Sequence, residues 1–201
     1  MALIGVLALQ GAFREHARAL ASLGAEVREL RQLPHLEGID GLVIPGGEST
    51  TIGKLLTDLG MMEPLRRRIL DGMPVYGSCA GLILLCKEIE DSDQPRLGVL
   101  DATVRRNAFG RQVDSFETSL PVKGLEEPVQ GVFIRAPLIT RVGAGVDVLA
   151  RVDMAPHGGT GEEIVAVRQD RILATSFHPE LTPDTRLHRY FLDMLAGGRN
   201  A

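Results

Sequence analysis

The chain has 201 residues, 44% hydrophobic and 24% charged, which suits one globular domain with a substantial core. A net charge of −4, no tryptophan and only 4% aromatic residues argue against nucleic acid or a membrane surface as partner. No apolar run approaches the roughly 18 residues of a membrane span. Met1–Leu9 lacks the basic lead-in of a signal peptide, and two cysteines make no disulfide framework, so a cytoplasmic location is expected.

Taken in order, Leu3–Leu9 is a continuous apolar strand of the kind found where both faces of a parallel sheet are covered. Phe13–Leu23 follows as a helix, with Phe13, Ala17, Leu20 and Ala21 on one face and Gly24 as its stop. Ala25–Leu30 is a charged strand nearer an edge. Ile39–Ile44 is a buried strand that ends at Pro45-Gly46-Gly47-Glu48-Ser49-Thr50. Ile52, Leu55, Leu56 and Leu59 then recur at helical spacing, with Ser49 to Thr51 available as caps. Pro64–Leu70 adds a helical piece before a short strand at Pro74–Tyr76. Repeated βαβ units of this kind imply a parallel sheet.

After Cys86 the texture changes. Leu97–Arg106, Phe116–Val122, Val129–Ala136, Val146–Val152, Ile164–Arg168 and Ile172–Phe177 read as strands, punctuated by glycines such as Gly110, Gly124, Gly131, Gly143 and Gly145. These strands should extend or cover the parallel sheet with antiparallel ones. Gly158-Gly159-Thr160-Gly161 reads as a loop, and Pro183–Leu195 as a last helix capped by Thr182 and opened by Pro183. The expected architecture is therefore a single α/β domain over 1–201, a three-layer sandwich with a mostly parallel central sheet plus antiparallel strands.

The chemistry centres on Gly77-Ser78-Cys79-Ala80-Gly81, a thiol counterpart of the G-x-S-x-G nucleophile elbow. A cysteine at the bend between a strand and a helix sits at a helix N-terminus, where free N–H groups favour thiolate over thiol. Cys86 falls seven residues later on the same predicted helix, about 10 Å away at 1.5 Å per residue, which is too far for a disulfide. No His/Cys cluster has the spacing of a metal site, so neither metal nor cofactor is expected.

A cysteine nucleophile needs a base, an orienting acid and an oxyanion site. His16, His35, His157 and His188 read as surface or packing residues. His178 differs, because it leaves a buried strand and precedes Pro179, which favours an extended backbone. Glu180 is two residues on, so in an extended chain its carboxylate and the imidazole share a side, as a triad requires. Gly46 and Gly47, with the N–H of Ala80, can aim backbone donors at a developing oxyanion. The same turn lacks the lysine spacing of a phosphate-binding loop, since Lys54 falls on the helix.

Together these segments resemble a class I, triad-type glutamine amidotransferase. More specifically, the chain is similar over nearly its whole length to the PdxT/Pdx2 family, the glutaminase subunits of pyridoxal 5′-phosphate synthases. The resemblance is carried by Leu9-Gln10-Gly11-Ala12 with His16, by Pro45 to Thr51, by the elbow, by Arg106-Asn107-Ala108-Phe109-Gly110-Arg111-Gln112, by Phe133-Ile134-Arg135-Ala136-Pro137, and by Phe177-His178-Pro179-Glu180. It implies that Cys79, His178 and Glu180 hydrolyse L-glutamine to glutamate and ammonia through a γ-glutamyl thioester. It further implies that Gly47, Glu48, Ser49, Arg106, Ile134 and Arg135 bind the substrate, and arginine suits its carboxylate. The implied partner is a (β/α)8-barrel synthase subunit that consumes the ammonia, in assemblies with a dodecameric core. Gln10 and the helix after it would face that partner.

Two rival readings stay open at this level. One is another cysteine-elbow hydrolase, such as a small peptidase or a DJ-1-like enzyme, although those carry histidine soon after the cysteine and here it follows 99 residues later. The other is a catalytically silent regulatory subunit, against which an intact Cys79, His178 and Glu180 argue.

Overall fold

The computed structural model describes residues 2–106, 115–157 and 159–197. Asn107–Gln112, which carries part of the resemblance, the turn at Gly110, and Gly158 lie outside the described residues.

The strands are β1 (Leu3–Leu7), β2 (Glu26–Leu30), β3 (Gly41–Ile44), β4 (Val75–Ser78), β5 (Cys86–Ile89), β6 (Leu100–Arg105), β7 (Ser115–Leu120), β8 (Val129–Ile134), β9 (Leu138–Val142), β10 (Asp147–Asp153), β11 (Glu162–Gln169) and β12 (Ile172–Thr175). The helices are α1 (Phe13–Ser22), α2 (Ser49–Asp58), α3 (Met62–Leu70), α4 (Ala80–Leu85) and α5 (Arg186–Gly197). One sheet runs β2-β1-β3-β4-β12-β11-β9-β6-β5, with β10 paired to β11. The pairings from β2 through β12 are parallel; β11 and β9 are antiparallel to their neighbours, and β5 and β6 are parallel. β7 and β8 form a separate antiparallel pair.

Alternation along the central strands explains their unbroken apolar sequences. Ile4, Val43, Tyr76 and Leu173 enter one core with Leu20, Phe191 and Phe133. Leu7, Leu42, Ile44, Val75 and Ala174 enter the other, with Ile52, Leu56, Leu65 and Leu82. The central sheet thus packs on α1, α5 and the β7–β8 pair on one face, and on α2, α3 and α4 on the other. Burial of one such leucine or isoleucine contributes about 1.5–3 kcal/mol.

Three local expectations are corrected. Cys86 is not on the helix of Cys79. The carbonyls of Leu84 and Leu85 are taken by the amides of Leu97, Gly98 and Val99, so α4 stops and Cys86 turns extended to begin β5. The last helix begins at Arg186 rather than Pro183; Asp184 Oδ1 accepts from the Arg186 N–H, while Thr182 braces the preceding turn. Glu48, not Ser49 to Thr51, caps α2 by accepting from the N–H groups of Thr50 and Thr51.

Candidate active site

β1, β3, β4 and β12 lie side by side and parallel, so the segments that follow them emerge at one edge of the sheet. Those segments carry Gln10, Gly46-Gly47, Cys79 and His178. Ligands of open parallel sheets bind in this crevice beyond the carboxyl ends of the strands.

Cys79 joins β4 to α4 with φ 48° and ψ −100°, a left-handed conformation rarely held by a residue with a side chain. Two hydrogen bonds hold it there: its N–H donates to Thr175 O at 2.8 Å, and its carbonyl accepts from Ile83 N at 3.2 Å. The bend also requires α4 to lie directly on β3, since a β-carbon at Gly81 would come within 2.2 Å of Ile44 O.

His178 is nearly buried, with its N–H donating to Val132 O at 2.8 Å. Its Nδ1 lies 2.7 Å from Glu180 Oε1, and its ring shares the wall of one cavity with Cys79. The pairing with Glu180 arises differently from the extended geometry expected: Pro179–Leu181 is a 3₁₀ turn that folds the carboxylate back beneath the ring. Burial alone would lower the His178 pKa. The neighbouring Cys79 and the hydrogen bond and charge of Glu180 outweigh that and push it up to about 10. Glu180 is held below the usual carboxylate range: burial opposes its ionisation, and the His16 and His178 imidazoles overcome that.

The Gly46-Gly47 turn is braced by the start of α1. Gly46 O accepts from Ala12 N at 3.0 Å, and Gln10 Oε1 accepts from Glu48 N at 2.7 Å. In a trans peptide the N–H points opposite to the C=O, so the Gly47 N–H faces away from Ala12. Gly46 packs against the pair, with Cys79 Cβ 3.4 Å from where its own β-carbon would stand. Ala80 opens α4, where backbone N–H groups have no partner within the helix.

Cys79 and His178 open into a cavity of about 390 Å³ that is also lined by Gln10, Gly47, Glu48, Ser49, Ile83, Arg106, Ile134 and Arg135. All six residues that the resemblance assigns to substrate therefore meet at the thiol. Glu48 is held below the usual carboxylate range; its slight burial works against ionisation, but hydrogen bonds from Thr51 and Thr50 prevail. Arg106 Nη2 lies 3.4 Å from Glu48 Oε1, and its Nη1 donates to Gln94 Oε1 at 2.8 Å. Arg135 adopts a left-handed φ of 42° at the cavity wall.

Four residues around the site escaped the sequence reading in these roles. Gln94 is buried and its Oε1 also accepts from Ser49 and Thr50, so it ties the start of α2 to Arg106. Gln10, expected only to face a partner, braces the glycine turn. His16 and His188, read as surface or packing residues, are wholly buried, His16 beside Glu180 and His188 beside His16. A signal for His16 was available: it shares the face of Phe13, Ala17 and Leu20, where a polar residue needs a buried partner. Among the described residues, no group of three or more His, Cys, Asp or Glu could hold a metal ion, and no helix is long and apolar enough to cross a membrane.

Residues 6–197 match the SNO glutamine amidotransferase family. The chain is 58% identical over 196 residues to the pyridoxal 5′-phosphate synthase subunit PdxT of Carboxydothermus hydrogenoformans, covering 97% of this chain and 98% of that protein. It is 57% identical over 193 residues to the protein of that name from Thermus thermophilus, covering 95% and 96% respectively. A crystal structure described as a glutamine amidotransferase is similar with a TM-score of 0.88 at 55% identity, covering 96% of this chain and 98% of that one.

Proposed function

The chain belongs to the SNO glutamine amidotransferase family, and from that premise we propose that it is the glutaminase subunit of a pyridoxal 5′-phosphate synthase. The observation that carries the reading is the cavity in which Cys79 and His178 face the six candidate substrate residues. Its volume of about 390 Å³ lies in the range that holds small molecules.

In this reading the substrate's ammonium takes Glu48 and its α-carboxylate takes Arg106 and Arg135. A zwitterion can thus replace the Glu48–Arg106 pair without leaving either charge unmatched. Ser49, Gly47 and Ile134 complete the walls. Cys79 Sγ attacks the side-chain amide carbon, with the proton of the thiol on His178. The electron pair of the C=O moves to oxygen and is met by the N–H groups of the Gly46-Gly47 turn and Ala80. Collapse of that adduct expels the amide nitrogen, which takes the His178 proton and leaves as ammonia. The remaining γ-glutamyl thioester is attacked by water, whose proton His178 accepts. Glutamate departs and the thiol is restored. Glu180 holds His178 on Nδ1 throughout.

Free ammonia is mostly protonated at neutral pH and then no longer a nucleophile, so the product would pass directly to the synthase subunit, in an assembly built on that subunit's dodecameric core. Glutamate release from glutamine, measured with and without the synthase subunit, tests the whole reading. Wild type should turn over in the complex and a folded Cys79→Ala chain should lose at least ~10³-fold. Equal glutamate release by both would sink it.

A further inference from the structure

The glutaminase reading uses one oxygen of Glu180 and leaves the other unexplained. Oε1 bonds His178, whereas Oε2 is buried and makes no hydrogen bond among the described residues. The polar atom standing against it is His16 Nε2, at 3.3 Å. That same nitrogen lies 2.9 Å from Ser78 Oγ, one residue before Cys79, so the imidazole edge is aimed between the acid and the elbow. On its far side His16 Nδ1 lies 2.9 Å from His188 Nε2, and His188 Nδ1 is buried with no hydrogen-bond partner among the described residues.

Resting on that reading, we propose that His16 is a positioning residue for the reaction: its Nε2–H steadies the free oxygen of Glu180, and His188 fixes the tautomer that makes this possible. The tautomers follow from donor counting. An ionised carboxylate only accepts, so the nitrogen facing it must carry hydrogen. His16 Nδ1 is then an acceptor, and His188 Nε2 must donate to it. His188 Nδ1 is left as a bare lone pair, consistent with its lack of a partner. The opposite arrangement would bury an orphaned N–H on His188 and turn a lone pair of His16 toward the carboxylate.

The groups facing His16 keep it uncharged. Burial lowers its pKa; Glu180 works the other way, His178 lowers it further, and Glu15 on its own helix raises it slightly. From α5 comes His188, itself influenced by Asp184, and from β4 come Ser78 and the Tyr76 ring, edge-on at 6.0 Å. A neutral donor here supports the ionised Glu180 without competing with His178 for its proton. The arrangement also makes α1 a common brace, since Gln10 and Ala12 at its start hold the Gly46-Gly47 turn while His16 holds the acid.

Imidazole ¹H–¹⁵N correlation spectra of the full wild-type chain at pH 7 test the tautomer directly. His16 should carry its single proton on Nε2; an Nδ1–H form or an imidazolium overturns the proposal. For catalysis, glutamine hydrolysis is measured with the synthase subunit present. His16→Leu should lower kcat ~10–100-fold with KM within about twofold, the scale of losing a polar group that supports a catalytic one. Its acid limb should move to higher pH, because Glu180 then protonates more readily. His16→Gln, whose amide N–H can reach the same place, should recover most of both. A folded leucine variant with kcat within about twofold and an unmoved limb, or a glutamine variant no better than leucine, overturns it. Should the leucine variant not fold, the wild-type tautomer decides. A Cys79→Ala chain that still released glutamate would sink the glutaminase reading while leaving the tautomer result untouched.

Discussion

Gly46 stands so close to His178 that a β-carbon on it would lie 2.3 Å from the imidazole Cε1 and 2.7 Å from Nδ1. Real β-carbons do not approach that near, so the position admits hydrogen alone while His178 keeps its bond to Glu180. Gly46→Ala should therefore push the imidazole off Glu180 and away from Cys79. The expected result is a kcat loss on the order of 10², the scale of an ångström-sized misplacement, with a near wild-type thermal melt. A fully active alanine variant would show that His178 need not stay where it is.

Glu180→Gln keeps the size of the side chain but exchanges an ionised acceptor for an amide. His178 would lose the charge that raises its pKa and the partner that fixes its tautomer. By analogy with the acid of serine-protease triads, kcat should fall by roughly 10³–10⁴ while KM changes little. Steady-state kinetics with the synthase subunit present would decide. A drop of less than tenfold would mean that Glu180 is merely structural.

Gln94 predicts a different kinetic signature. Its buried carbonyl collects donors from Ser49, Thr50 and Arg106. Gln94→Ala releases the guanidinium without touching Cys79, so binding should suffer more than chemistry. Loss of a hydrogen bond to a charged group corresponds to roughly tenfold or more in KM, with kcat within about threefold. The reverse pattern would place Arg106 in the chemical step instead.

Stability should fall on the acid side. Burial, reinforced by the neighbouring His16, lowers the His188 pKa from 6.5 to about 3, so the folded chain binds fewer protons than the unfolded one between those values. Within that window stability is lost as pH falls, by about 1.4 kcal/mol per pH unit. Glu180, depressed when folded, adds to this: its contribution is present above its unfolded pKa and lost as pH falls through the folded one. His178 acts at the other end. Raised to about 10, its contribution is complete below 6.5 and disappears as pH climbs through about 10. Melting temperatures should therefore peak near pH 6.5, dropping from pH 6 to 4 and again as pH climbs from 6.5 toward about 10. His188→Gln should flatten the acid drop, and an unchanged slope in that variant would remove His188 as its source.

Much of this architecture was legible because burial on both faces leaves a strong mark. Leu3–Leu7, Gly41–Ile44, Val75–Ser78 and Ile172–Thr175 are apolar runs bounded by turns, and they form the parallel centre. Two strands were not legible. Cys86 continues the apolar run of α4, and only the amides of Leu97, Gly98 and Val99, arriving from elsewhere, end that helix and leave Cys86–Ile89 extended. Leu138–Val142 is mixed in polarity and gains its identity from pairing with β6 and β11.

The sequence by itself determined the elbow at Cys79, the glycines that permit it, and the likeness of its segments to triad amidotransferases. These are local matters of backbone freedom and residue type within a few positions. Only the tertiary structure decided that His178 folds over Glu180 through a 3₁₀ turn, that Gln94 gathers Arg106 and the α2 start, and that His16 and His188 stand behind the acid. Those contacts join residues up to 172 positions apart. A sequence shows that a buried polar group needs a partner, but which partner it meets depends on how the sheet and its two helical layers close.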